Sequence, residues 1–151
     1  MHLYHHKVQY YETDKMGIVH HSNYIRWMEE SRISFLESLG LDYATLEKRG
    51  VISPVIGVNC KYKRPSYFGD DITIEVSIKE YTGIKLIFNY TMKNKGDVVV
   101  LTGESEHCFV SDKGHIIIPK TAFPDLDEIL MKNVHLNHAI MKIANPPKNI
   151  F

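Results

Sequence analysis

The sequence predicts an α+β fold in which a curled antiparallel β-sheet wraps around one long central helix. Apolar residues recur at helical spacing over residues 22–39, with charged residues on the opposite side. Over residues 51–118, apolar and polar residues then alternate along segments that short turns separate. Because the helix and the sheet each have one apolar face, packing these two faces together buries both.

The long helix is predicted to span residues 22–39. Ser22 is the expected N-cap, because its hydroxyl can accept hydrogen bonds from the free amides of the first turn. Gly40 supplies the expected C-terminal stop. The spacing predicts a buried helix face composed of Tyr24, Trp27, Met28, Ser31, Phe35, Ser38 and Leu39. We therefore interpret Trp27, Met28 and Phe35 as core residues.

The other elements follow from propensity, alternation and turn residues. Residues 3–11 predict a first strand, and residues 42–49 predict a short helix that Asp42 caps. Later strands are expected over residues 51–63, 72–78, 84–92, 98–111 and 115–118. In the first of these, one buried face is predicted to contain Ile56, Val58, Cys60 and Tyr62.

The end of the chain predicts one or two helical turns over residues 125–132. The tail from about residue 133 is expected to be loosely held. With 151 residues the chain is most simply one domain over residues 1–151. The outer face and the edge of its sheet would need cover, which predicts a dimer.

Composition excludes some classes of partner. Hydrophobic residues make up 44% of the chain, charged residues 24%, and the formal net charge is zero. Bulk charge therefore gives no reason to expect binding to nucleic acid or to an anionic membrane. No segment resembles a signal peptide or is long enough to span a bilayer. Cys60 and Cys108 lack metal-type spacing, and a reducing cytoplasm is the expected setting.

Asp14 is the main candidate for chemistry. It lies on a loop just ahead of the long helix, whose first amides point outward and favour negative charge. A carboxylate at this place could attack a carbonyl carbon directly, or it could activate a water molecule. The residues leave both routes open. Turn formation or helix capping is the structural alternative for Asp14.

Neighbouring residues are candidates for contact with a substrate. Backbone amides from His20 to Asn23 would supply donors for a developing oxyanion. The side chain of His21 could donate to the substrate or tune Asp14. Adjacent histidines point in different directions and match no zinc-site signature, so no metal site is predicted. The candidate binding residues of this stretch are Gly17, Ile18, His20, Ser22, Asn23 and Tyr24.

Two segments carry a resemblance to a known family. Residues 10–40, YYETDKMGIVHHSNYIRWMEESRISFLESLG, closely resemble the catalytic segment of hotdog-fold acyl-CoA thioesterases, specifically the 4-hydroxybenzoyl-CoA thioesterase and YbgC-like branch. Residues 62–70, YKRPSYFGD, are also similar to that family. The resemblance implies a hotdog fold, homodimers or homotetramers with active sites at the subunit interface, and thioester hydrolysis without a metal or a cofactor. It places Asp14 on the catalytic aspartate and His21 on a histidine of the YbgC-like members.

An acyl-CoA substrate would need cationic side chains for its phosphates. Lys61, Lys63 and Arg64 are candidates. Lys85 stands alone where the 4-hydroxybenzoyl enzyme has a basic run. The alternative for these side chains is a solvated strand face. An acyl carrier protein is the other carrier that the sequence leaves open.

The predicted function is therefore that of an acyl-CoA thioesterase. One alternative is a hotdog dehydratase or hydratase that acts on acyl thioesters. That chemistry needs an acid–base pair for a β-hydroxyacyl chain, and Asp14 with His21 on one loop is a poor match to it. The other alternative is a non-catalytic acyl-thioester binding module, which would keep its ligand without Asp14. The sequence contains no serine nucleophile elbow and no phosphate-binding glycine loop.

Overall fold

The fold is known from a computed structural model that describes residues 1–145. Its strands are β1 (His2–Lys7), β2 (Val55–Tyr62), β3 (Asp71–Tyr81), β4 (Leu86–Lys93) and β5 (Val99–His107). They form one antiparallel sheet in the order β1-β3-β4-β5-β2. The helices are α1 (His21–Ser38), α2 (Tyr43–Lys48), α3 (Pro119–Ala122) and α4 (Pro124–Ala144). The predicted combination of one long helix and an antiparallel sheet is confirmed.

A single hydrophobic core joins α1 to the sheet. Trp27, Met28 and Phe35 are buried, as their spacing predicts. The alternation predicted for β3 is also confirmed, because its inward side chains Ile72, Ile74, Val76 and Ile78 are buried in this core. Gly103 on β5 lets backbone and helix approach closely. A Cβ at this position would lie 2.7 Å from the Asn59 carbonyl oxygen and 3.4 Å from the Met28 methyl.

The start of α1 differs from the prediction by one residue and by its cap. α1 begins at His21, so His20 is the N-cap, and Ser22 already lies in the first turn. The Nδ1 atom of His20 accepts a hydrogen bond from the Ser22 amide at 3.3 Å. An imidazole nitrogen satisfies a free helix amide as a hydroxyl oxygen would. The prediction that Ser22 caps the helix is therefore wrong.

Four stretches predicted as strand lie outside the strands, namely residues 8–11, 51–54, 108–111 and 115–118. β1 ends at Lys7, and the chain then forms a turn of 3-10 helix over Tyr10–Glu12. The Glu12 carboxylate accepts the Gln9 amide at 2.9 Å and so closes this turn. Residues 115–118 form no strand either, because only the isolated bridge between Val110 and Ile116 is present there.

β2 is an edge strand, and much of its apolar surface is exposed. Ile56 is 55% exposed, Val58 is 41% exposed and Tyr62 is 49% exposed. The prediction of a half-buried β2 is therefore wrong for a single chain. The physical reason is the position of α1, which packs mainly against β1 and β3 and reaches β2 only through single side chains, such as Met28 against Cys60 and Tyr24 against Tyr62.

α4 is much longer than the predicted one or two turns. It buries Leu126, Leu130 and Val134 along one stripe and covers the end of β3 that β1 does not pair. There the Asn137 side-chain amide donates to the Ile78 carbonyl oxygen at 3.2 Å. Most of the tail predicted to be loosely held thus lies in α4, and its last part, residues 146–151, lies outside the described residues. Within residues 1–145, no helix has the length and apolar composition needed to cross a bilayer.

Candidate active site

Asp14 lies in a cleft of about 410 Å³ between the start of α1 and the end of β2. Six of the predicted site residues line this cleft, namely Asp14, Ile18, His21, Tyr24, Lys63 and Arg64. Three further lining residues are Val19, Tyr62 and Pro65, which the sequence analysis does not assign to the site. The cleft therefore combines the loop before α1 with the segment that follows β2.

A tight hairpin holds Asp14 in place. The Asp14 amide donates to the Ile18 carbonyl oxygen, and the Gly17 amide donates to the Asp14 carbonyl oxygen, both at 2.9 Å. The carboxylate Oδ1 of Asp14 accepts the Met16 amide at 2.8 Å. Gly17 has a φ of 76°, a left-handed conformation that glycine adopts at little cost. Gly17 therefore shapes the turn, and Oδ2 of Asp14 makes no hydrogen bond with residues 1–145.

The predicted amide donors at the helix start are not equivalent. The His20 amide donates to the Glu12 carbonyl oxygen at 2.9 Å, and the Asn23 amide donates to the His20 carbonyl oxygen at 3.0 Å. The Ser22 amide is used by the His20 ring. Among the four amides from His20 to Asn23, only that of His21 donates to no acceptor in the described part of the chain. Because α1 begins there, the helix dipole adds positive potential at this N–H group.

Aromatic rings form one wall of the cleft. The Tyr24 and Tyr62 rings pack edge to face with their centroids 5.5 Å apart. The Tyr62 hydroxyl also donates to the His21 carbonyl oxygen at 3.1 Å, which ties β2 to the first turn of α1. Burial raises the pKa of Tyr24, so this residue stays neutral at pH 7. Such a wall is suited to an apolar or flat ligand group.

The remaining predicted residues of the stretch have structural contacts. The His20 ring packs on the His21 ring with their centroids 4.2 Å apart. The Asn23 side chain donates to the Glu12 carbonyl oxygen at 2.9 Å. Ser22 is exposed, and its hydroxyl lies 2.8 Å from Nδ1 of His20. These three side chains hold the helix start and do not line the cleft.

Glu12 is a buried carboxylate that the sequence analysis misses. Its Oε1 accepts the Trp27 indole N–H at 2.9 Å, and its Oε2 accepts both the Gln9 amide and Nε2–H of His6 at 2.9 Å. The side chain of Glu12 thus connects β1, the 3-10 turn and α1. Only the fold shows this role, because His6 and Trp27 are brought to Glu12 by tertiary packing.

The Glu12 carboxyl is held in its charged form. Burial alone would raise the pKa of Glu12, but the hydrogen bonds from His6, the Gln9 amide and Trp27 outweigh burial and lower it. The backbone carbonyl of Glu12 also accepts from both the His20 amide and the Asn23 side chain. One residue therefore fixes the Asp14 hairpin and the helix start relative to each other.

Of the four predicted phosphate contacts, two lie in the Asp14 cleft and two lie elsewhere. Lys63 and Arg64 line the cleft beside Asp14. Lys61 lies on the other face of β2, in a depression that Asn59 and Glu104 also line. Lys85 forms an ion pair with Glu106 at 3.0 Å, next to Gly57 at the opposite end of β2. Within one chain, Lys61 and Lys85 are therefore not part of the Asp14 cleft.

The site contains no metal-binding cluster in the described part of the chain. Among residues 1–145, no three His, Cys, Asp or Glu side chains lie close enough together to hold a metal ion.

Comparisons with known proteins identify the family. Residues 8–147 match the family model of the thioesterase-like superfamily. YneP of Bacillus subtilis, named as a candidate acyl-CoA thioesterase, is 38% identical over 120 residues, which are 79% of this chain and 87% of YneP.

Two solved structures of thioesterases superpose on this chain and support the same family. A DHNA-CoA thioesterase from Staphylococcus aureus superposes with a TM-score of 0.86 at 30% identity, and the match covers 91% of this chain and 93% of that one. The gentisyl-coenzyme A thioesterase BH1999 superposes with a TM-score of 0.73 at 28% identity, over 77% of this chain and 94% of that one. The chain therefore belongs to the thioesterase-like superfamily, and it is a thioester hydrolase with the hotdog fold.

Proposed function

We propose that Asp14 carries out the hydrolysis of an acyl-CoA thioester, with the His21 amide as the oxyanion donor. One observation supports this assignment above the others. Asp14, whose Oδ2 makes no hydrogen bond with residues 1–145, lines the same cleft as His21, whose amide is the one among those of His20 to Asn23 that lacks an acceptor in this part of the chain. Thioester hydrolysis needs both groups, a carboxylate to form or deliver the nucleophile and a donor for the oxyanion.

The reaction can follow either of two routes. In the first, the free oxygen of Asp14 bonds to the thioester carbon, the C–S bond breaks and coenzyme A leaves as its thiolate. Water then hydrolyses the mixed anhydride and restores Asp14. In the second, Asp14 removes a proton from water as that water attacks the carbonyl carbon; the tetrahedral intermediate then collapses, the C–S bond breaks, coenzyme A leaves as its thiolate, and the proton held by Asp14 passes to that thiolate. In both routes the His21 N–H group stabilises the negative charge on the carbonyl oxygen.

The cationic side of the cleft is the proposed place for the phosphates of coenzyme A. Lys63 and Arg64 follow β2 directly and line the same cleft as Asp14. A guanidinium and an ammonium group both bind phosphate oxygens well. An acyl carrier protein, which presents a phosphopantetheine group on a protein surface, is the alternative carrier for the same cleft. The aromatic wall of Tyr24 and Tyr62 would contact the pantetheine or the acyl group.

The protein is proposed to act as a homodimer, or as a homotetramer of two such dimers. The exposed apolar side chains of β2 support this, because an uncovered edge strand tends to recruit another chain. We also propose a cytoplasmic location, since Cys60 and Cys108 are both free thiols.

Single-turnover hydrolysis tests the role of Asp14. A panel of acyl-CoA esters is first screened with a thiol-detecting reagent to find a good substrate. Asp14→Asn keeps the shape of the side chain but supplies neither a nucleophile nor a base. We expect it to lower the rate by about a hundredfold or more, within the usual range for a general base, with little change in substrate affinity. Release of the acyl group at the wild-type rate by a folded Asp14→Asn protein would refute the proposal.

A further inference from the structure

A second cavity lies between α1 and β2, about one helical turn beyond the Asp14 cleft. Its volume is about 260 Å³. Tyr24 lines the first cavity, and Ile25, the next residue of α1, lines the second. The two cavities therefore follow the same groove between α1 and β2. The second is lined by apolar Ile25, Met28, Val55 and Val58 together with polar Arg32 and Ser105.

Arg32 carries a buried positive charge that no acidic side chain of residues 1–145 neutralises. The residue is only 5% exposed. Its Nε donates to the Tyr43 hydroxyl and its Nη1 to the Tyr90 hydroxyl, both at 3.2 Å. These bonds use two of the five N–H groups of the guanidinium. No carboxylate oxygen of the described residues lies within 4.0 Å of it.

The polar groups behind Arg32 are neutral. The Tyr90 hydroxyl lies 2.8 Å from Oγ of Ser105, which in turn lies 2.8 Å from Nε2 of His107. Burial, and then the charge of Arg32, lower the pKa of His107 to about 4. His107 is therefore uncharged at pH 7. This chain of hydrogen bonds holds the guanidinium in position without supplying a counter-charge.

The rim of the cavity does not cancel the charge either. Arg26 and Glu29 line it and are both exposed. Together with Arg32, the lining contains two cations and one carboxylate, so its net charge is positive. A buried charge without a partner is costly, and a guanidinium binds a carboxylate with two parallel hydrogen bonds. The missing partner of Arg32 is thus best supplied by an anionic group that enters the cavity.

We propose that this cavity receives the far end of the substrate's acyl group, and that Arg32 selects acyl groups that end in a carboxylate. The inference rests on the proposed function, because it places the thioester carbonyl at Asp14. From His21 to Arg32, α1 rises by about 16 Å, and a helical side chain points back toward the N-terminus. A medium-length chain that runs along α1 past Ile25 and Met28 would bring its terminal carboxylate to the guanidinium.

The test compares pairs of CoA esters of equal chain length, one ending in a carboxylate and one in a methyl group. Wild-type protein is expected to show a kcat/KM about tenfold or more higher for the carboxylate ester at the best chain length, the usual size of a hydrogen bond to a charged group. Arg32→Met replaces the buried cation with an apolar side chain of similar length, a change that folded proteins often tolerate. We expect this ratio to fall to about one or below in the variant.

Arg49→Gln is the matched control. It also removes a guanidinium, but one that pairs with Asp125 at the surface and is remote from the cavity. The control should keep the wild-type ratio. A wild-type preference for the methyl ester, or an unchanged ratio in Arg32→Met, would overturn the inference. If Arg32→Met instead dissociates the dimer and leaves the ratio unchanged, the partner subunit neutralises Arg32, and the inference is again overturned.

Binding to Asp14→Asn separates this inference from the proposed function. Calorimetry with the same pairs of esters needs no hydrolysis. Tighter binding of the carboxylate ester that Arg32→Met abolishes in the same background supports the cavity assignment, even if no ester is hydrolysed and the proposed function fails. Equal binding of both esters overturns it. A free dicarboxylic acid that binds as tightly as its CoA ester would show a site for a separate small acid, which also overturns it.

Discussion

Glu12 shows how a single side chain can organise a site whose chemistry belongs to another residue. Its carboxylate ties β1 to α1 through His6 and Trp27, and its carbonyl oxygen accepts from the helix start. The Asp14 hairpin begins one residue later, with the bridge between Thr13 and Val19. The position of the Asp14 carboxylate relative to the His21 amide thus depends on contacts that Glu12 makes away from the cleft.

Replacement of Glu12 by Gln should lower stability in a pH-dependent way. The glutamine amide has one acceptor oxygen, so it cannot accept both from the Gln9 amide and His6 ring on one side and from the Trp27 indole on the other. At pH 7 we therefore expect a loss of about 1–3 kcal/mol in the free energy of unfolding. The folded-state pKa of Glu12 lies below its ordinary value of 4.5. Its contribution is therefore present above that ordinary value and is lost as the pH falls through the folded-state pKa. Denaturant unfolding of both proteins from pH 7 downward measures this difference.

Glu30→Gln is the control for this change. Glu30 also approaches the His6 ring, at 3.5 Å, but its side chain is 45% exposed. Exposed pairs contribute about 0–1 kcal/mol, so this variant should unfold close to wild type. An equal loss of stability in both variants, or a difference that does not shrink in acid, would contradict the anchoring role of Glu12.

At the residue scale, the sequence reveals groups whose roles follow from local rules. Asp14 and Gly17 are recognisable from the loop ahead of a helix and from the family motif. Glu12 lies two residues before Asp14 and is not recognisable in this way, since nothing local distinguishes a buried glutamate from a solvated one. The N-cap of α1 was predicted at Ser22 and lies at His20 for a related reason. Ser22 is the more frequent N-cap, and only the local geometry shows that the His20 ring takes this role.

The segment after β2 is the element that carries the proposed charge recognition. Lys63 and Arg64 line the Asp14 cleft, whereas Lys61 faces the other side of the strand. Lys63→Gln and Arg64→Gln should each raise KM for an acyl-CoA ester more than they lower kcat, because they remove binding to a group remote from the thioester. Lys61→Gln is the control and should leave KM near the wild-type value. Steady-state kinetics at low salt measures this, since salt screens exposed charges. Unchanged KM in both test variants would exclude this segment.

α4 stabilises the end of β3 that β1 does not reach. The Tyr81 hydroxyl donates to Oδ1 of Asp127 at 2.8 Å, and burial, followed by this bond and the Asp127 charge, raises the pKa of Tyr81. Tyr81→Phe should lower the free energy of unfolding by about 1–3 kcal/mol, because it leaves a carboxylate without its donor. Amide exchange in the last residues of β3 should rise. Tyr67→Phe, at a residue that is 51% exposed, is the control. Equal exchange in both variants would argue against this role of α4.

Helices and strands whose apolar residues repeat along their whole length were predictable from the sequence. Those whose burial or length depends on tertiary contacts were not. α1 and β3 each present a full apolar face to the core, so their periods appear in the sequence. β2 has the same alternation but α1 covers it only in part, so most of its apolar side chains are exposed within one chain. The second half of α4 exposes Leu136, Ile140 and Ile143, which obscures the amphipathic signal.

At the scale of the whole molecule, the part of β3 that β1 leaves unpaired is covered, whereas the β2 edge is not. α4 covers the segment of β3 that does not pair with β1, and there the Asn137 side-chain amide donates a hydrogen bond to the Ile78 carbonyl oxygen. The β2 edge, in contrast, exposes Val55, Ile56 and Val58 beside Ile25 of α1. An apolar edge strand of this kind is an aggregation hazard unless another chain covers it. The alternation of β2, which a single chain does not explain, is accounted for if a second copy buries it.

A charge placed on β2 should therefore separate the subunits. Ile56→Asp puts a carboxylate at a side chain that is 55% exposed in one chain, and burying it in an interface would cost several kcal/mol. We expect sedimentation to show a shift from dimer, or tetramer, toward monomer. Hydrolysis should be lost as well, because the resemblance to hotdog thioesterases implies active sites at the subunit interface. Val98→Asp is the control, since Val98 is similarly exposed, at 45%, but lies in the turn before β5. Wild-type protein that sediments as a stable monomer with full activity would rule out the proposed dimer, and the exposed face of β2 would then require another explanation.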